Sequence, residues 1–399
     1  MPHETCDIVI CGGGIAGLAA AAAFGSAGFR VICVDPARPV TDAGAEGADL
    51  RTTAMLQPAR DLLEAAGLWE RLAPHAAALR IMRIVDAGDG AGRPQALRDF
   101  DSADISDSPF GWNFPNWLLR REMVARIGAL ENVDFRPGLS ATGLFTRTGE
   151  ARVTLSDGVE LRARLVIAAD GRGSPMRLAA GIPVTTRRFG QKALAFAVSH
   201  PIPHDGVSTE IHRSGGPFTL VPLPDRDGMP SSAVVWMEDG PEAQRLAALD
   251  VAGFEAAASA RSCHLLGPLT LVSRRSLWPI ISQQAARLSA ERLALVAEAA
   301  HVMPPIGAQG LNMSLADIAT LLDLARKRPD DLGGSEMLDA YHRARIGDIR
   351  LRVEGVSLLN RASQASNPAL RGARALGLDL LHGSAPLRQR LMRLGLGLR

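Results

Sequence analysis

Three glycines near the amino terminus have the spacing that a nucleotide phosphate requires. Gly12, Gly14 and Gly17 form the pattern G-x-G-x-x-G, and Asp35 follows at the distance typical of a ribose-binding acid. Glycine permits the tight turn and lets a pyrophosphate approach the free N–H groups at a helix N-terminus. A carboxylate that accepts a hydrogen bond from the adenosine ribose favours FAD or NAD over NADP. The pattern therefore predicts a dinucleotide site.

The flanking segments predict the elements that position this turn. Residues 7–11 form a short apolar run typical of a buried strand, and an alanine-rich helix follows that ends near Gly28. Residues 29–34 predict a second strand, with Asp35 at its end. The glycine pattern within a βαβ unit is a strong signal, but it does not separate NAD from FAD.

Two distant segments also have the composition of a nucleotide site. Residues 165–169 are another buried-strand run, and Asp170 and Gly171 begin the turn that follows it. Residues 293–317 pass from a strand through a loop rich in proline and glycine into a helix that begins near Gly310. The start of such a helix directs free N–H groups and the positive end of its dipole at an anion. A reduced flavin carries negative charge of this kind.

Together the three segments resemble the FAD-dependent aromatic hydroxylases of the p-hydroxybenzoate hydroxylase fold, and more narrowly their ubiquinone-biosynthesis branch. The glycine pattern matches the first motif, residues 169–177 match A-D-G-x-x-S-x-x-R, and residues 299–317 match the third motif. Arg51 and Arg120 occupy positions where the family uses arginines near the FAD phosphates. The resemblance implies these cofactor-binding residues: Gly12, Gly14, Gly17, Asp35, Arg51, Arg120, Asp170, Gly171, Glu298, Gly307, Gln309, Gly310, Leu311 and Asn312.

The resemblance also implies a reaction. A flavin-dependent monooxygenase would hydroxylate the ring of a prenylated phenol or quinol precursor of ubiquinone through a C4a-hydroperoxyflavin. NAD(P)H would be the transient electron donor and molecular oxygen the co-substrate. Pro304, Pro305 and Gly307 are candidates for the flavin face, His301 and His212 are weaker candidates, and no catalytic residue is assigned. Two alternatives stay open: a flavin-dependent reductase or dehydrogenase without oxygen insertion, and a non-catalytic flavin-fold member of a ubiquinone-biosynthesis complex.

One position departs from the family pattern. The family usually has Gly-Asp before Ala-Ala-His, with the aspartate on the ribitol, whereas this chain has Ala297 and Glu298. Glutamate keeps the acceptor and adds a methylene, and Ala297 brings a methyl group close to the cofactor. We interpret the change as a tolerated variant, with weakened FAD binding as the alternative.

The family comparison implies an α/β fold, in which a Rossmann-like FAD-binding domain is interleaved with a β-sheet substrate domain and followed by a helical C-terminal region. Residues 186–240 contain four strand-like runs separated by Pro/Gly turns, in agreement with such a sheet. The predicted ranges are 1–75, 100–185 and 275–345 for the FAD-binding domain, 76–99 and 186–274 for the substrate domain, and 346–399 for a basic tail.

Length, charge and cysteine content exclude several classes of protein. The 399 residues are enough for about two or three domains, and a net charge of +2 argues against a nucleic-acid-binding protein. The 4 cysteines form no C-x-x-C pair, which argues against a disulfide scaffold and a thiolate metal site and suits a reducing cytosol. The amino terminus lacks a signal-peptide pattern. We therefore expect a cytoplasmic protein without a metal centre or a nucleic-acid partner.

The C-terminal region is strongly basic. Between Tyr341 and Arg399 there are 11 arginines and 3 acidic residues, and arginines are interleaved with leucines. Two interpretations stay open. The region forms a helix pair whose leucines pack on the FAD-binding domain, or it forms a basic amphipathic surface that meets anionic lipid or a partner in a ubiquinone-biosynthesis complex. The second interpretation would place the protein on the inner face of the membrane.

Overall fold

The computed structural model describes residues 3–88, 96–213, 215–364 and 382–397, and this part of the chain contains twenty strands and ten complete α-helices. The strands are β1 His3–Cys11, β2 Val31–Asp35, β3 Thr52–Leu56, β4 Ala77–Leu79, β5 Ile81–Asp86, β6 Ala96–Asp101, β7 Gly111–Pro115, β8 Val133–Pro137, β9 Ala141–Thr146, β10 Ala151–Leu155, β11 Glu160–Ala168, β12 Val184–Ser199, β13 Val207–Arg213, β14 Gly216–Arg226, β15 Met229–Asp239, β16 Thr270–Leu271, β17 Ser276–Ala285, β18 Ser289–Ala290, β19 Leu293–Leu295 and β20 His301–Val302. The helices are α1 Ile15–Ser26, α2 Gln57–Ala65, α3 Trp69–Leu72, α4 Asn116–Gly128, α5 Pro175–Ala179, α6 Gly240–Ala248, α7 Val251–Arg261, α8 Gln309–Lys327, α9 Ser335–Gln364 and α10 Ala385–Leu396.

The first sheet has a parallel centre with the strand order β8-β2-β1-β11-β19. The antiparallel strands β9 and β10 extend it beside β11, and β18 borders β19. Its central strands are apolar and buried, and the alanine-rich α1 packs directly on them. Because the centre is parallel, the carboxyl ends of β1, β2, β11 and β19 meet at one edge, where ligands of such sheets bind.

The second sheet has the order β20-β17-β12-β15-β14-β13-β5-β6, with β16 beside β12. One face is covered by α6 and α7, where Phe254 packs against the rings of Phe196 and Trp236. The opposite face lies toward the loop before α8, since Met237 and Ile306 belong to one buried cluster. This sheet therefore forms a wall beside the carboxyl edge of the first sheet.

The remaining elements brace these two sheets. Strands β3, β7 and β4 form a small antiparallel sheet, and α8 packs against both α1 and α9. Helix α10 docks through Leu396, which packs with Leu56 and Phe110, and through Arg388, whose guanidinium lies 3.0 Å from the Asp104 carboxylate.

The mixed α/β class with a helical C-terminal region is confirmed. Strands of the first sheet come from residues 3–35, 133–168 and 289–295, and strands of the second sheet alternate with them along the chain. The predicted boundary at 274/275 separates β17 from the strand β12 to which it is hydrogen-bonded, and the boundary at 345/346 falls inside α9. All of the domain boundaries stay predictions. Residues 89–95 of the predicted substrate domain and residues 365–381 of the predicted tail lie outside the described residues.

Candidate functional site

The glycine turn lies at the carboxyl end of β1. A Cβ atom at Gly17 would lie 1.8 Å from the carbonyl oxygen of Gly12, so α1 can start this close to β1 only with glycine at residue 17. A Cβ atom at Gly14 would meet no atom within 4 Å, so this glycine faces open space. Helix α1 begins at Ile15 with no side-chain cap and no acidic residue in its first turn. Its first N–H groups are therefore available to an anion.

Asp35 is held beside the same turn. Its Oδ2 accepts a hydrogen bond of 2.6 Å from the N–H of Gly13, and its Oδ1 accepts one of 2.8 Å from the N–H of Ala37. The half-buried carboxylate thus stands at the end of β2, next to the open glycine turn. This arrangement suits the ribose acceptor that the sequence predicts.

The loop after β11 joins the first segment. The N–H of Ala169 donates to the carbonyl of Cys11 at 2.7 Å, which places the loop directly beside the glycine turn. Oδ2 of Asp170 accepts a bond of 3.1 Å from the N–H of Met176, whereas its Oδ1 is buried with no partner among the described residues. Burial raises the pKa of this carboxyl group. A buried oxygen without a donor needs a partner from outside the protein, which the hydroxyl group of a bound ligand or a water molecule would supply.

Arg177 connects the second segment with the third. Its guanidinium is buried and donates to the carbonyl of Ala299 at 2.9 Å and to the carbonyl of Arg172 at 2.9 Å. Burial lowers the pKa of Arg177, because a charged group loses hydration there. The arginine of the second motif is therefore a brace between two loops at the carboxyl edge.

Arg51 and Arg120 converge on Asp49, a carboxylate that belongs to none of the three motifs. Nη2 of Arg51 lies 2.7 Å and Nη2 of Arg120 lies 3.4 Å from Oδ2 of Asp49, which also accepts a bond of 3.0 Å from Asn116. Burial on its own would raise the pKa of Asp49. The hydrogen bond and the charge of Arg51, together with Asn116 and Arg120, outweigh this effect and lower that pKa. Arg51 also lies over the ring of Trp278, 5.4 Å from its centroid. The sequence signal for Asp49 is its place two residues before Arg51.

The third segment forms a bent loop followed by a long helix. Helix α8 begins at Gln309, next to the predicted start at Gly310, and has no acidic residue in its first turn. The loop from Pro304 and Pro305 reaches Gly307, which has a φ of +65°, a conformation that favours glycine. The amide of Gln309 donates to the carbonyl of Gly307 at 2.8 Å and holds the bend. The helix N-terminus is thus fixed behind the proline loop.

Two predicted residues of this segment contact the protein itself. The side chain of Asn312 accepts a bond of 2.8 Å from the N–H of Leu56 and donates one of 2.7 Å to the carbonyl of Ala54. Leu311 packs against the hydrophobic core that the first sheet and α1 share. Asn312 thus holds α8 against β3, and the predicted contacts of both residues with a cofactor stay predictions.

The departure at residues 297 and 298 has a conformational consequence. Ala297 has a φ of +56°, in the left-handed region where an L side chain is strained and glycine is not. Glu298 is 55% exposed, and its Oε2 lies 3.8 Å from Nε of Arg172. The glycine of the family pattern therefore matches the backbone conformation at this position, while the carboxylate of Glu298 stays accessible.

The two candidate histidines lie in different surroundings. His301 is buried, and its Nε2 lies 2.7 Å from Oδ2 of Asp317. His212 lies on β13, is only partly buried, and places Nε2 2.8 Å from Oε1 of Glu210. His301 thus contacts α8 in the protein interior through Asp317, whereas His212 lies on the second sheet and contacts Glu210 of the same strand.

The three motif segments surround one edge of one sheet, which is the arrangement that an elongated flavin dinucleotide requires. The open position at Gly14 and the free N–H groups of α1 fit a pyrophosphate, and the unpartnered Oδ1 of Asp170 fits a ligand hydroxyl. The N-terminus of α8 fits a group with negative charge. The residues present therefore fit FAD.

Comparisons with known proteins agree with this geometry. A family model described as an FAD binding domain matches residues 5–350. The chain is 32% identical over 397 residues to ubiquinone hydroxylase UbiL from Rhodospirillum rubrum, covering 99% of this chain and 90% of that protein. It is 25% identical to 3-demethoxyubiquinol 3-hydroxylase from Escherichia coli, covering 100% of both chains.

A solved structure shows the same fold. The p-nitrophenol 4-monooxygenase PnpA from Pseudomonas putida DLL-E4 superimposes with a TM-score of 0.80 at 21% identity, covering 99% of each chain. The likeness extends through both sheets and into the C-terminal helices because nearly the whole of each chain is covered.

Proposed function

The chain belongs to the FAD-binding domain family, and we propose that it is a monooxygenase that hydroxylates the ring of a prenylated phenol or quinol in ubiquinone biosynthesis. The family membership confirms FAD as the cofactor, with NAD(P)H and molecular oxygen as the usual co-substrates of the family. The observation that carries the proposal is the convergence of the glycine turn, Asp170 and the N-terminus of α8 at one edge. The substrate class is supported by the relatives that are named ubiquinone hydroxylases.

Each part of the site has its own task in holding the cofactor. Gly14 and the free N–H groups of α1 would take the pyrophosphate, and Asp35 the adenosine ribose. Asp170, Gly171 and Glu298 would bind the middle part of the cofactor. Arg177 would hold their loops together through its hydrogen bonds to Ala299 and Arg172. Arg51 and Arg120 would lie near the phosphates, held together by Asp49.

The reaction needs a site for the flavin ring that excludes water and stabilises negative charge. When bound and reduced by NAD(P)H, FAD would supply the activation of oxygen for transfer to the substrate ring. The loop from Pro304 to Gly307 shields this region, because its Ile306 packs into the cluster with Met237 and Ile280. Exclusion of water matters because water diverts the activated oxygen to hydrogen peroxide. The positive end of α8 would stabilise negative charge on a cofactor group in front of Gly310.

The test begins with the purified protein and its bound flavin. With NADH or NADPH, a short-chain prenylated phenol such as 2-geranylphenol is expected to stimulate oxygen uptake, and one atom of labelled oxygen should enter the ring. Oxidation of NAD(P)H without labelled product would favour the reductase. Absence of any oxidation stimulated by a panel of prenylated phenols would favour the non-catalytic member. Quinone profiling of a deletion strain then identifies the missing hydroxyl through the accumulated intermediate.

We further propose that α9 and α10 meet an anionic membrane surface, where a polyprenylated substrate would reside. Both helices carry leucines at helical spacing that are strongly exposed. Within the described residues, Arg350, Arg361, Arg390 and Arg393 form no ion pair, so their charge is available to anionic lipid. No helix in the described part of the chain is both long and apolar enough to cross a membrane. The exposed leucines are Leu351, Leu358, Leu359, Leu387, Leu391 and Leu394.

Vesicle flotation tests this surface. The holoprotein should float with vesicles that contain about one third phosphatidylglycerol and not with pure phosphatidylcholine, because the attraction combines charge and apolar burial. Replacing Leu358 and Leu359 by serine, or Arg390 and Arg393 by glutamate, should abolish flotation. Leu178→Ser is the matched control, since Leu178 is 66% exposed but lies on α5. Equal flotation of all variants would contradict the proposed surface.

A further inference from the structure

A carboxylate and an imidazole lie on the face of the second sheet that points toward the proline loop. Ile211, between Glu210 and His212, packs into the core under α6 and α7 together with Phe218 and Trp236. Successive side chains of a strand point to opposite faces. Glu210 and His212 therefore point away from these helices, to the side where the proline loop and α9 lie.

On this face an apolar wall lies next to the proline loop, residues 304–307. Met237 and Ile306 share one buried cluster, and Val235, Trp278 and Met303 pack against it. Val235 and Trp278 are only partly buried, so the wall is not closed by the protein itself. The accessible parts of Val235 and Trp278 therefore offer an apolar surface on which a flat ring can pack.

The register of the strands links this wall to Glu210. Val235 on β15 lies opposite Thr219 on β14, and Thr219 lies opposite Glu210 on β13. Two strand spacings put Glu210 about 10 Å from Val235 along one row of the same face. This distance suits an aromatic ring that is seated on Val235 and Thr219, with a hydroxyl group directed at Glu210.

His212 holds this carboxylate in place. Nε2 of His212 lies 2.8 Å from Oε1 of Glu210, and the two side chains are 15% and 17% exposed. Nδ1 of His212 is buried and has no partner in the described ranges, so the polar contact of this ring is made with Glu210. The pair is thus partly accessible from the wall, and one of its members is oriented by the other.

We propose that Glu210 accepts a hydrogen bond from the ring hydroxyl of the substrate and that His212 is its positioning residue. This inference rests on the proposed function and specifies how the same site recognises a phenol. A carboxylate that shares the hydroxyl proton increases the electron density of the ring at the ortho and para carbons, which an electrophilic oxygen attacks. No bond forms between Glu210 and the substrate, and the proton stays shared between the two oxygens.

The test compares 2-geranylphenol with its methyl ether, which lacks the donor and retains the ring and chain. Binding to the FAD-loaded protein is followed by the change in flavin fluorescence, without turnover. The native protein should bind the phenol at least about tenfold more tightly than the ether, the size of a hydrogen bond to a charged group. Glu210→Gln should reduce this preference to about threefold or less, since an uncharged amide is a weaker acceptor.

Two further comparisons separate positioning from folding. His212→Gln retains an N–H near Nε2 and should keep most of the preference, whereas His212→Leu should lose it. Glu242→Gln is the matched control, because Glu242 lies on α6 on the other side of the sheet and should leave the preference unchanged. All variants should keep their bound FAD. If Glu210→Gln does not fold, Glu210→Asp replaces it, and its shorter carboxylate should lower the preference severalfold.

The outcomes also distinguish this inference from the proposed function. An unchanged preference in a folded Glu210 variant that still inserts oxygen would overturn the role of Glu210 and leave the hydroxylase standing. A native protein that prefers the phenol through Glu210 but inserts no labelled oxygen would support the hydroxyl site and contradict the monooxygenase. A native protein without any preference would overturn the inference directly.

Discussion

His301 and Asp317 form a pair inside the protein: Nε2 lies 2.7 Å from Oδ2, and the side chains are 1% and 0% exposed. The other oxygen of Asp317 accepts a bond of 2.7 Å from Nε of Arg345. Asp317 belongs to α8 and Arg345 to α9, and His301 precedes the proline loop. One carboxylate thus ties the loop at the flavin region to two helices.

Removal of this carboxylate should strongly destabilise the fold. Asp317→Ala removes the buried carboxylate from both His301 and Arg345, and the Arg345 guanidinium retains the contact of 3.0 Å with the partly exposed Asp348. We expect a loss of about 3–5 kcal/mol in the free energy of unfolding, because two buried groups lose their partner at once. Urea denaturation at pH 7 measures this. The control is Asp339→Ala, which breaks the exposed pair with Arg287 and should cost no more than about 1 kcal/mol. Equal losses in both variants would contradict a special role of the buried network.

Ala297→Gly should stabilise the protein. The residue has a φ of +56°, and glycine adopts that conformation without the strain of a Cβ atom, so we expect a gain of about 1 kcal/mol. Ala300→Gly is the control, because Ala300 has a φ of −94° and glycine there should be destabilising. Thermal unfolding of the two variants should shift in opposite directions, and a lower unfolding temperature for Ala297→Gly would argue against the strain.

Substitutions at two glycines of the same motif should have different effects, one on FAD binding and the other on folding. Gly14→Val meets open space in the protein and should fold with near-native stability, yet its side chain occupies the place of the pyrophosphate and should abolish FAD binding. Gly17→Val would press against the carbonyl of Gly12 and should prevent stable folding. Circular dichroism and the visible flavin spectrum separate the two effects. Full FAD occupancy of Gly14→Val would contradict the assignment of the phosphate turn.

The cluster around Asp49 predicts a pH dependence of stability. The pKa of Asp49 is lowered in the folded protein, below the value of about 3.9 in an unfolded chain. Its contribution is therefore present above the unfolded pKa and is lost as the pH falls through the folded pKa. The stability advantage of the native protein over Asp49→Asn should be constant between about pH 7 and 5 and shrink below about pH 4.

Chemical denaturation at several pH values measures this difference. Asp107→Asn, at an exposed loop position, serves as the control and should follow the native protein across the range. A difference between the native protein and Asp49→Asn that does not change with pH would show that the Arg51 and Arg120 contacts do not depend on the carboxylate charge.

Short sequence patterns predict those parts of the site whose structure is set by residues close together in the chain. The βαβ unit follows from the glycine spacing, and the structure has β1, α1 and β2 there, with Gly28 at a φ of +90° after the helix. The start of α8 was predicted to within one residue from the loop composition. These features are set by turn geometry and helix capping, which act over a few residues.

Partners from distant segments could not be predicted in this way. Asp49 joins Arg120, which lies 71 residues further along the chain, and β17 pairs with β12 across a predicted boundary. Glu210 was not singled out, because its orientation follows from the register of β13 and β14. Such contacts depend on which faces of two sheets come together.

The sequence by itself determined the dinucleotide turn, the family and the α/β class, because glycine, proline and strand-like runs act through short-range geometry. Tertiary structure alone decided that Asp49 gathers the arginines, that Asp317 rather than solvent surrounds His301, and that Glu210 and His212 share a face with the apolar wall. Burial and strand register make these assignments, and both arise only when segments far apart in the chain pack together.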